Sequence, residues 1–368
     1  MEDIFKFADD LGPEKVIHFY DPASRLKGIL VVDNVAAGPS IGGTRMAPDV
    51  SLEECFRLAR AMTLKNAAAG LPHGGGKSVI FADPKMPLDK KERLVRAFAY
   101  AIKDVKDYIV GPDMGTDETC MAWVKDVINR SVGLPVEIGG IPLDEIGATG
   151  FGLAAAIDVA QDYCDVKIKG ARVVIQGFGS VGKHAARFLC EKGAVLIGAS
   201  DSRGGIVDSG GIDVAALIAH KNTGKDIASF GKGKAIQCAD IIGVDCDIWI
   251  PAARPDVLTK DNVGKLKTRM VAEGANIPVT LEAERILHER GVMVLPDFIA
   301  NAGGVICASV EYHGGNQTSA FATIDEKIRA NTAAVLKSAR ATGALPRDAA
   351  ISLAKERVRR AMTFRQTY

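Results

Sequence analysis

Between Ser51 and about Ala69 the apolar residues Leu52, Cys55, Ala59 and Met62 recur on one face at helical spacing. Ser51 and Glu54 frame the start of that segment as a capping box, so a helix is predicted there. Short apolar and β-branched runs alternate with it. "KGILVVDN" (Lys27 to Asn34) and "KSVIFADP", ending at Pro84, read as strands, as does "DYIVGPDMG" (Asp107 to Gly115) running into a Gly-Pro loop. An amphipathic pattern from Leu88 to Val105 predicts a second helix, and a third starts near Asp117.

The glycine-rich stretch "EIGGIPLDEIGATGFG" marks a boundary near residues 138 to 150, followed by a helix from Ala154 to Tyr163. "ARVVIQGFGSVGKHAARFLCEKGAVLIGASDS" then reads as strand, glycine turn, helix, strand. The runs "DIWIPA", "RMVAEGAN" and "VMVLPDF" suit later strands of a parallel sheet, so the fold class is α/β. From Asp325 onward the chain is helical, and its basic end (Lys355, Arg357, Arg359, Arg360) reads as a solvated helix face.

The 368 residues suffice for two domains with a large core. A net charge of +1 points to neither nucleic acid nor a membrane surface. No apolar window is long enough to span a bilayer, and the acidic, amphipathic opening "MEDIFKFADDLG" does not read as a signal peptide. Seven cysteines without a C-x-x-C pair suggest reduced thiols in a cytoplasmic protein, and six histidines never fall at metal-ligand spacing, so no metal site is expected.

Two glycine-rich segments carry candidate chemistry. "GLPHGGGKSVIF" (Gly70 to Phe81) resembles a phosphate loop only at its end, Gly76-Lys77-Ser78. The loop's first glycine would have to stand at Leu71, and the order here is helix, glycine turn, strand rather than strand, loop, helix. A phosphate loop is therefore excluded. Gly177, Gly179 and Gly182 form G-x-G-x-x-G after the strand "RVVIQ" and before a helix, which is the context a dinucleotide site requires. Gly177 permits a tight turn, Gly179 lets backbone approach the pyrophosphate, and Gly182 lets helix and strand pack. Asp201 ends the next strand, where a carboxylate would bind the adenosine ribose and favour NAD; Ser202 and Arg203 beside it keep NADP or dual use open.

The domain ahead of this unit should bind substrate. Lys65 ends the capped helix, Lys77 begins the strand across the glycine turn, and Asp113 follows "YIVG", so all three can meet at one mouth. Gly74, Gly75 and Gly76 would let ligand or backbone approach without a Cβ, and they read as a clearing for substrate. On residue type alone, two exposed lysines and a turn aspartate remain an equal reading.

The ordered motifs "GPSIGGTRM", "MTLKNAAAGLPHGGGKSVI", "GPDMGT", "ATGFG", "IQGFGSVG", "AEGAN" and "PDFIANAGGV" resemble the glutamate/leucine/phenylalanine/valine dehydrogenase family from about residue 15 to residue 320. The resemblance implies a substrate-binding and oligomerisation domain over residues 1–142, a Rossmann, doubly wound dinucleotide-binding domain over 143–324, and C-terminal helices over 325–368 returning to the first. It also implies a homo-oligomer, a hexamer or octamer. Lys77 and Asp113 would be catalytic, and Lys65 would pair with the substrate α-carboxylate. Gly42, Gly43 and Met62 would line the substrate pocket. Thr149, the turn Gly177-Phe178-Gly179-Ser180-Val181-Gly182, Asn276 and Asn301 would contact the cofactor. The reaction implied is reversible oxidative deamination of an L-amino acid to a 2-oxo acid and ammonium. Burial and a neighbouring lysine should lower the Lys77 pKa and suit it to act as a base.

Two positions bear on the substrate. Glutamate members carry a lysine where this chain has Ile41 in "GPSIGG", and a serine where it has Ala308. A buried γ-carboxylate would lose both partners, so an apolar, branched substrate of the leucine or valine kind is expected. "SDSRGGI" and "AEGANIP" look more like the glutamate branch, and glutamate is the alternative substrate. A non-catalytic nucleotide-sensing regulatory protein is the alternative of another class; it would have no need to keep Lys65, Lys77 and Asp113 together.

Overall fold

A computed structural model describes residues 5–365; the first four residues of the N-terminal stretch and the last three of the chain lie outside the described residues. The chain divides into two compact units, Met1–Pro142 with Val305–Ala320 and Ile351–Tyr368, and Leu143–Gly304 with Phe321–Ala350.

The first unit holds a five-stranded sheet in the order β1-β2-β4-β3-β5, from β1 (Lys15–Asp21), β2 (Leu26–Asn34), β3 (Ser40–Ala47), β4 (Gly74–Phe81) and β5 (Tyr108–Pro112). β1, β2 and β4 pair antiparallel, and β3 pairs parallel with β4 and β5. Helix α1 (Leu52–Ala68) covers one face; α2 (Leu88–Ala101) and α3 (Glu118–Ile128) cover the other. Alternate residues of β2 serve the two layers. Leu26, Leu30 and Val32 join Phe98 and Met121, whereas Ile29 and Val31 join Cys55, Phe56 and Ala59. Burial on both faces explains why β2 reads as one apolar run rather than an alternation.

Ser51 caps α1 by accepting from the Glu54 N–H at 3.1 Å, but the Glu54 carboxylate goes to Arg45, so only half of the capping box forms. α2 stops at Ala101, short of the expected Val105. The glycine turn expected before Lys77 is not a turn. Gly74, Gly75 and Gly76 are the first residues of β4 and are buried, while the turn lies at Gly70, with φ 65°. A Cβ at Gly74 would fall 1.7 Å from the Asn34 carbonyl oxygen, and one at Gly75 would fall 2.0 Å from the Thr63 nitrogen. Gly74 and Gly75 therefore clear space for the backbones of β2 and α1, and Gly76 for the side chains of Ser40 and Tyr108, not for a ligand.

The second unit holds a seven-stranded sheet in the order β12-β11-β10-β6-β7-β8-β9. Its strands are β6 (Arg172–Gln176), β7 (Val195–Ser200), β8 (Gly205–Val207), β9 (Lys234–Ile236), β10 (Ile248–Pro251), β11 (Met270–Ala272) and β12 (Met293–Leu295). β6, β7, β10, β11 and β12 are parallel; β8 and β9 add an antiparallel edge. Strand order reverses at β6, the topological switch point outside which α/β sheets bind ligands. Helix α4 (Ala148–Ala160) begins inside the glycine-rich stretch, not at Ala154. Its Gly150 lets α4 pack closely, since a Cβ there would meet the Ala185 nitrogen at 2.6 Å, whereas one at Gly152 would make only ordinary contact with Gly303 at 3.4 Å. α5 (Ser180–Glu191), α6 (Leu281–Glu289), α7 (Gly303–Tyr312), α8 (Gln317–Thr342) and α9 (Pro346–Met362) follow.

The block expected as 325–368 is split between the units, since α8 from Phe321 belongs to the second and α9 from Ile351 to the first. Its basic run is not simply solvated. Arg357 is half-buried and donates to the carbonyls of Ala67 (3.1 Å), which also accepts from the Gly70 N–H, and Ala68 (2.7 Å) at the C-terminus of α1. All seven cysteines are free, and among the described residues no helix is long and apolar enough to cross a membrane. Gly75→Ala should lower the unfolding free energy by about 2–3 kcal/mol or prevent folding. Gly243→Ala, whose Cβ would meet nothing within 4 Å, should stay within about 0.5 kcal/mol of the wild type. Urea denaturation checks both, and equal midpoints would contradict the packing account.

Candidate active site

Lys77 lies on β4 with its side chain 7% exposed, and its Nζ pairs with Asp113 Oδ2. Asp113 directly follows β5. Between β4 and β5 runs β3, whose Arg45 donates from Nε to the same Asp113 oxygen at 3.2 Å and pairs with Glu54 through its other arm. Gly43 opens the way on that strand, because a Cβ there would stand 2.8 Å from the Asp113 Cβ. Gly42 serves a different contact, its missing Cβ leaving room for the Gly76 carbonyl. On the opposite face Thr44 and Ser78 hydroxyls share a hydrogen bond at 2.7 Å, Ser78 meets the Tyr108 hydroxyl at 3.0 Å, and Tyr108 donates to the Gly42 carbonyl at 2.9 Å. This buried chain locks the strands that carry Lys77 and Asp113.

Burial drives the Lys77 ammonium below its ordinary pKa, Asp113 resists that shift, and the Arg45 charge adds to it. The expected positive neighbour was Lys65; the guanidinium of Arg45 takes that part. Burial pushes the Asp113 carboxyl upward, but Lys77, Arg45 and the Met114 N–H outweigh it and hold the group below the usual carboxylate range. The pair therefore stands as a carboxylate facing an amine that gives up its proton more easily than a free lysine.

Lys65 is half-buried in the last turn of α1, where a cation is favoured, and Met62 lies one turn earlier on the same face. Asn66 ties that end of the helix to the start of β4, donating to the Gly74 carbonyl at 2.7 Å. Ile41 belongs to an apolar cluster with Ile109 and Val132, against which Ala308 and Tyr312 of α7 pack. Glu311 anchors α7 there. Its buried carboxylate accepts from the N–H groups of Gly133 (2.7 Å), Leu134 (3.2 Å) and Ile141 (2.7 Å). Arg45 and Glu311 were not among the sequence candidates, although the motif "GGTRM" placed Arg45 two residues from Gly43, on one strand face.

In the second unit β6 runs into Gly177, at φ 97°, whose N–H donates to the Ser200 carbonyl at 2.9 Å. The Phe178 side chain is buried and its N–H also donates to Ser200, at 2.8 Å. Gly179 stands at the N-cap of α5, with no side-chain cap, and a Cβ there would meet nothing within 4 Å. Val181 follows in the first turn, and Ser180 donates its hydroxyl to Asp144 at 3.1 Å. Gly182 is a packing position, where a Cβ would fall 2.1 Å from the Gly177 carbonyl oxygen. Asp201 is held by Lys221 and by the Arg203 N–H (2.8 Å), while Ser202 and Arg203 are exposed. Thr149 lies in the first turn of α4. Asn276 is exposed, and Asn301 donates to its Oδ1 at 3.1 Å while Asn301 Oδ1 is buried without a hydrogen-bond partner. An uncapped helix N-terminus beside open space, with an unpaired buried acceptor, fits a dinucleotide.

Residues 139–366 match the Glutamate/Leucine/Phenylalanine/Valine dehydrogenase family, and residues 13–130 match the Glu/Leu/Phe/Val dehydrogenase dimerisation domain. A glutamate dehydrogenase of Aeropyrum pernix is 39% identical over 90% of this chain and 85% of its own. The hetero-hexameric glutamate dehydrogenase of Thermus thermophilus, in a Leu-bound form, superposes with a TM-score of 0.84 at 28% identity over 97% of this chain and 91% of that one. The L-tryptophan dehydrogenase of Nostoc punctiforme does so at 0.76 and 26% over 95% and 97%. The chain belongs to the glutamate/leucine/phenylalanine/valine dehydrogenase family.

It is thus an NAD(P)-dependent amino-acid dehydrogenase, an oxidoreductase, and the dimerisation-domain match supports an oligomer. In this dehydrogenase the glycines of the nucleotide turn divide into two kinds. Gly179→Ala should fold with an unchanged melting temperature yet weaken NADH binding roughly 10-fold or more, if the open space the new methyl would enter is the one a phosphate takes. Gly182→Ala should instead lose stability. Fluorescence titration beside thermal melting tests this; unchanged NADH affinity in Gly179→Ala would contradict the assignment.

Proposed function

We propose that the chain catalyses the reversible oxidative deamination of an apolar, branched L-amino acid, with leucine and valine as the model substrates. The observation that carries the substrate choice is the apolar cluster in which Ile41 and Ala308 lie with Ile109, Val132 and Tyr312. A γ-carboxylate placed there would be buried without a cation, at a cost of several kcal/mol. His73, edge-on to the Tyr312 ring, does not supply the charge, since burial pushes its imidazole below the ordinary value and keeps it neutral. Glutamate is the second reading, favoured by the 39% identity to a glutamate dehydrogenase. The pocket outweighs that identity because overall identity reports mainly on fold and cofactor binding.

Lys65 anchors the α-carboxylate and sets the α-carbon. Met62, Gly42 and Gly43 shape the surrounding wall. Gly179, Ser180 and Val181 at the α5 N-terminus would hold the pyrophosphate, and Thr149, Asn276 and Asn301 the nicotinamide end; the bound dinucleotide supplies the hydride acceptor. Asp113, ionised, exchanges protons with the substrate amino group. Lys77, deprotonated more readily than a free lysine, takes the proton of the water that attacks the substrate iminium. Once protonated it stabilises the carbinolamine oxygen and the product carbonyl. The balance is amino acid, oxidised dinucleotide and water giving 2-oxo acid, ammonium, reduced dinucleotide and a proton. We take NAD as the preferred cofactor because the acidic Asp201 directly follows β7; Lys221 offsets its charge, so dual use with NADP is open. The free thiols suit a reducing cytoplasm, and the assembly is taken as a homo-hexamer or octamer.

A panel of L-amino acids run with NAD and with NADP, followed by absorbance of the reduced nicotinamide, should give the highest kcat/KM with leucine or valine; glutamate at the top would refute the substrate. Ile41→Lys combined with Ala308→Ser should shift kcat/KM toward glutamate by ~100-fold relative to leucine. Lys77→Ala should abolish turnover while NADH binding stays within about twofold, and near-normal turnover would sink its assignment as the base.

A further inference from the structure

Arg347, in the first turn of α9, is buried among three buried carboxylates. Its Nη2 donates to Glu273 Oε2 at 2.7 Å, its Nη1 to Asp297 Oδ1 at 2.8 Å, and its Nε to Glu284 Oε1 on α6. A planar fork of donors suits such a site in a way an ammonium does not.

Two of these carboxylates stand on the segments that leave the C-terminal ends of β11 and β12. Glu273 directly follows β11, and its Oε2 also accepts from the Asp297 N–H at 3.0 Å. Asp297 lies two residues beyond β12, and its Oδ2 accepts from the Ile277 N–H at 2.8 Å. Ile277 adopts φ 43°, which a β-branched residue reaches only when its surroundings compel it. Two hydrogen bonds compel it here: the one to Asp297, and one from the Asp256 N–H to the Ile277 carbonyl at 3.0 Å. Asn276 immediately precedes this residue. Asn301 donates its backbone N–H to the Asp297 carbonyl at 2.7 Å and its Nδ2 to Ala275 O and Asn276 Oδ1, both at 3.1 Å. Direct contacts therefore run from Arg347 through Glu273 and Asp297 to both amides.

Burial pushes the Glu273 carboxyl well above the usual range against the pull of Arg347, and raises Glu284 in the same way. Well-packed apolar residues would generally hold such a position as firmly.

We propose that Arg347 is a positioning residue that, through Glu273 and Asp297, fixes the strained Asn276–Ile277 turn and Asn301 and so orients the two amides toward the nicotinamide end of the dinucleotide. This rests on the reading that Asn276 and Asn301 face the nicotinamide. Arg347→Lys keeps the charge and loses the fork. In the full-length protein it should weaken NADH binding roughly 10-fold, the size typical of a supporting residue, and leave binding of ADP-ribose, which lacks nicotinamide, within about twofold. Asp297→Asn, which withdraws the carboxylate oxygen from Ile277, should give the same split and keeps the proposal testable if the lysine variant does not fold. Equal weakening of both ligands, or no change in either, would overturn it. Asn301→Ala separates the two levels. If that variant leaves the NADH to ADP-ribose ratio unchanged, the placement of the amides fails and the proposal with it. If Asn301→Ala splits the ligands but Arg347→Lys and Asp297→Asn do not, the proposal alone fails.

Discussion

A lysine side chain that is 7% exposed keeps its charge only in the company of a partner, and the arrangement of the first unit follows from that constraint. The Lys77 ammonium has left water, which costs several kcal/mol, and Asp113 returns part of that cost. Arg45 then holds Asp113 from the other side and repels Lys77, so the carboxylate stays ionised while the amine loosens its proton. Burial is the larger cause of that loosening, and Arg45 adds to it. A second cation on the same oxygen lowers both groups, so a carboxylate that stays ionised faces an amine that gives up its proton more easily.

That pairing needs three strands from separate parts of the chain to lie closer than side chains normally permit. Gly42, Gly43 and Gly76 remove the obstacles between them, Gly74 and Gly75 make room for β2 and α1, and the hydroxyl chain through Thr44, Ser78 and Tyr108 sets the spacing from the other face. The same division of labour recurs in the second unit. There Gly182 lets α5 close on its own strand turn, while Gly179 leaves space empty. Glycine in this protein marks close backbone approach more often than conformational freedom.

Much of this was legible in the sequence because it is local. The strand–turn–helix around Gly177, the Ser51 cap and the apolar runs of β2, β10, β11 and β12 each follow from a few neighbouring residues. β3 was not legible. "SIGGTRMA" has neither alternation nor an apolar run, and it is a central strand only because flanking glycines and β5 admit it. With β3 unread, Arg45 could not be placed, and the charge beside Lys77 was assigned to Lys65. β8 and β9 were missed for lack of length, at three residues each. The Arg347 cluster was invisible for another reason: its four members are spread over 75 residues, and only the fold brings them together. Family motifs held Arg45, Glu273 and Asp297 as well as most of the candidate site residues, but a motif does not say which of its side chains meet.

The proposed chemistry of this site turns on the ionisation of one amine. Side-chain NMR of lysine-labelled protein, with the Lys77 resonance assigned by its loss in Lys77→Arg, gives that quantity directly as the midpoint of a pH titration. The predicted midpoint lies below the ordinary lysine value of about 10.4, reached with Asp113 still ionised throughout. A midpoint at or above that value would mean that Asp113 dominates burial and Arg45, and that Lys77 is a structural salt bridge rather than a base.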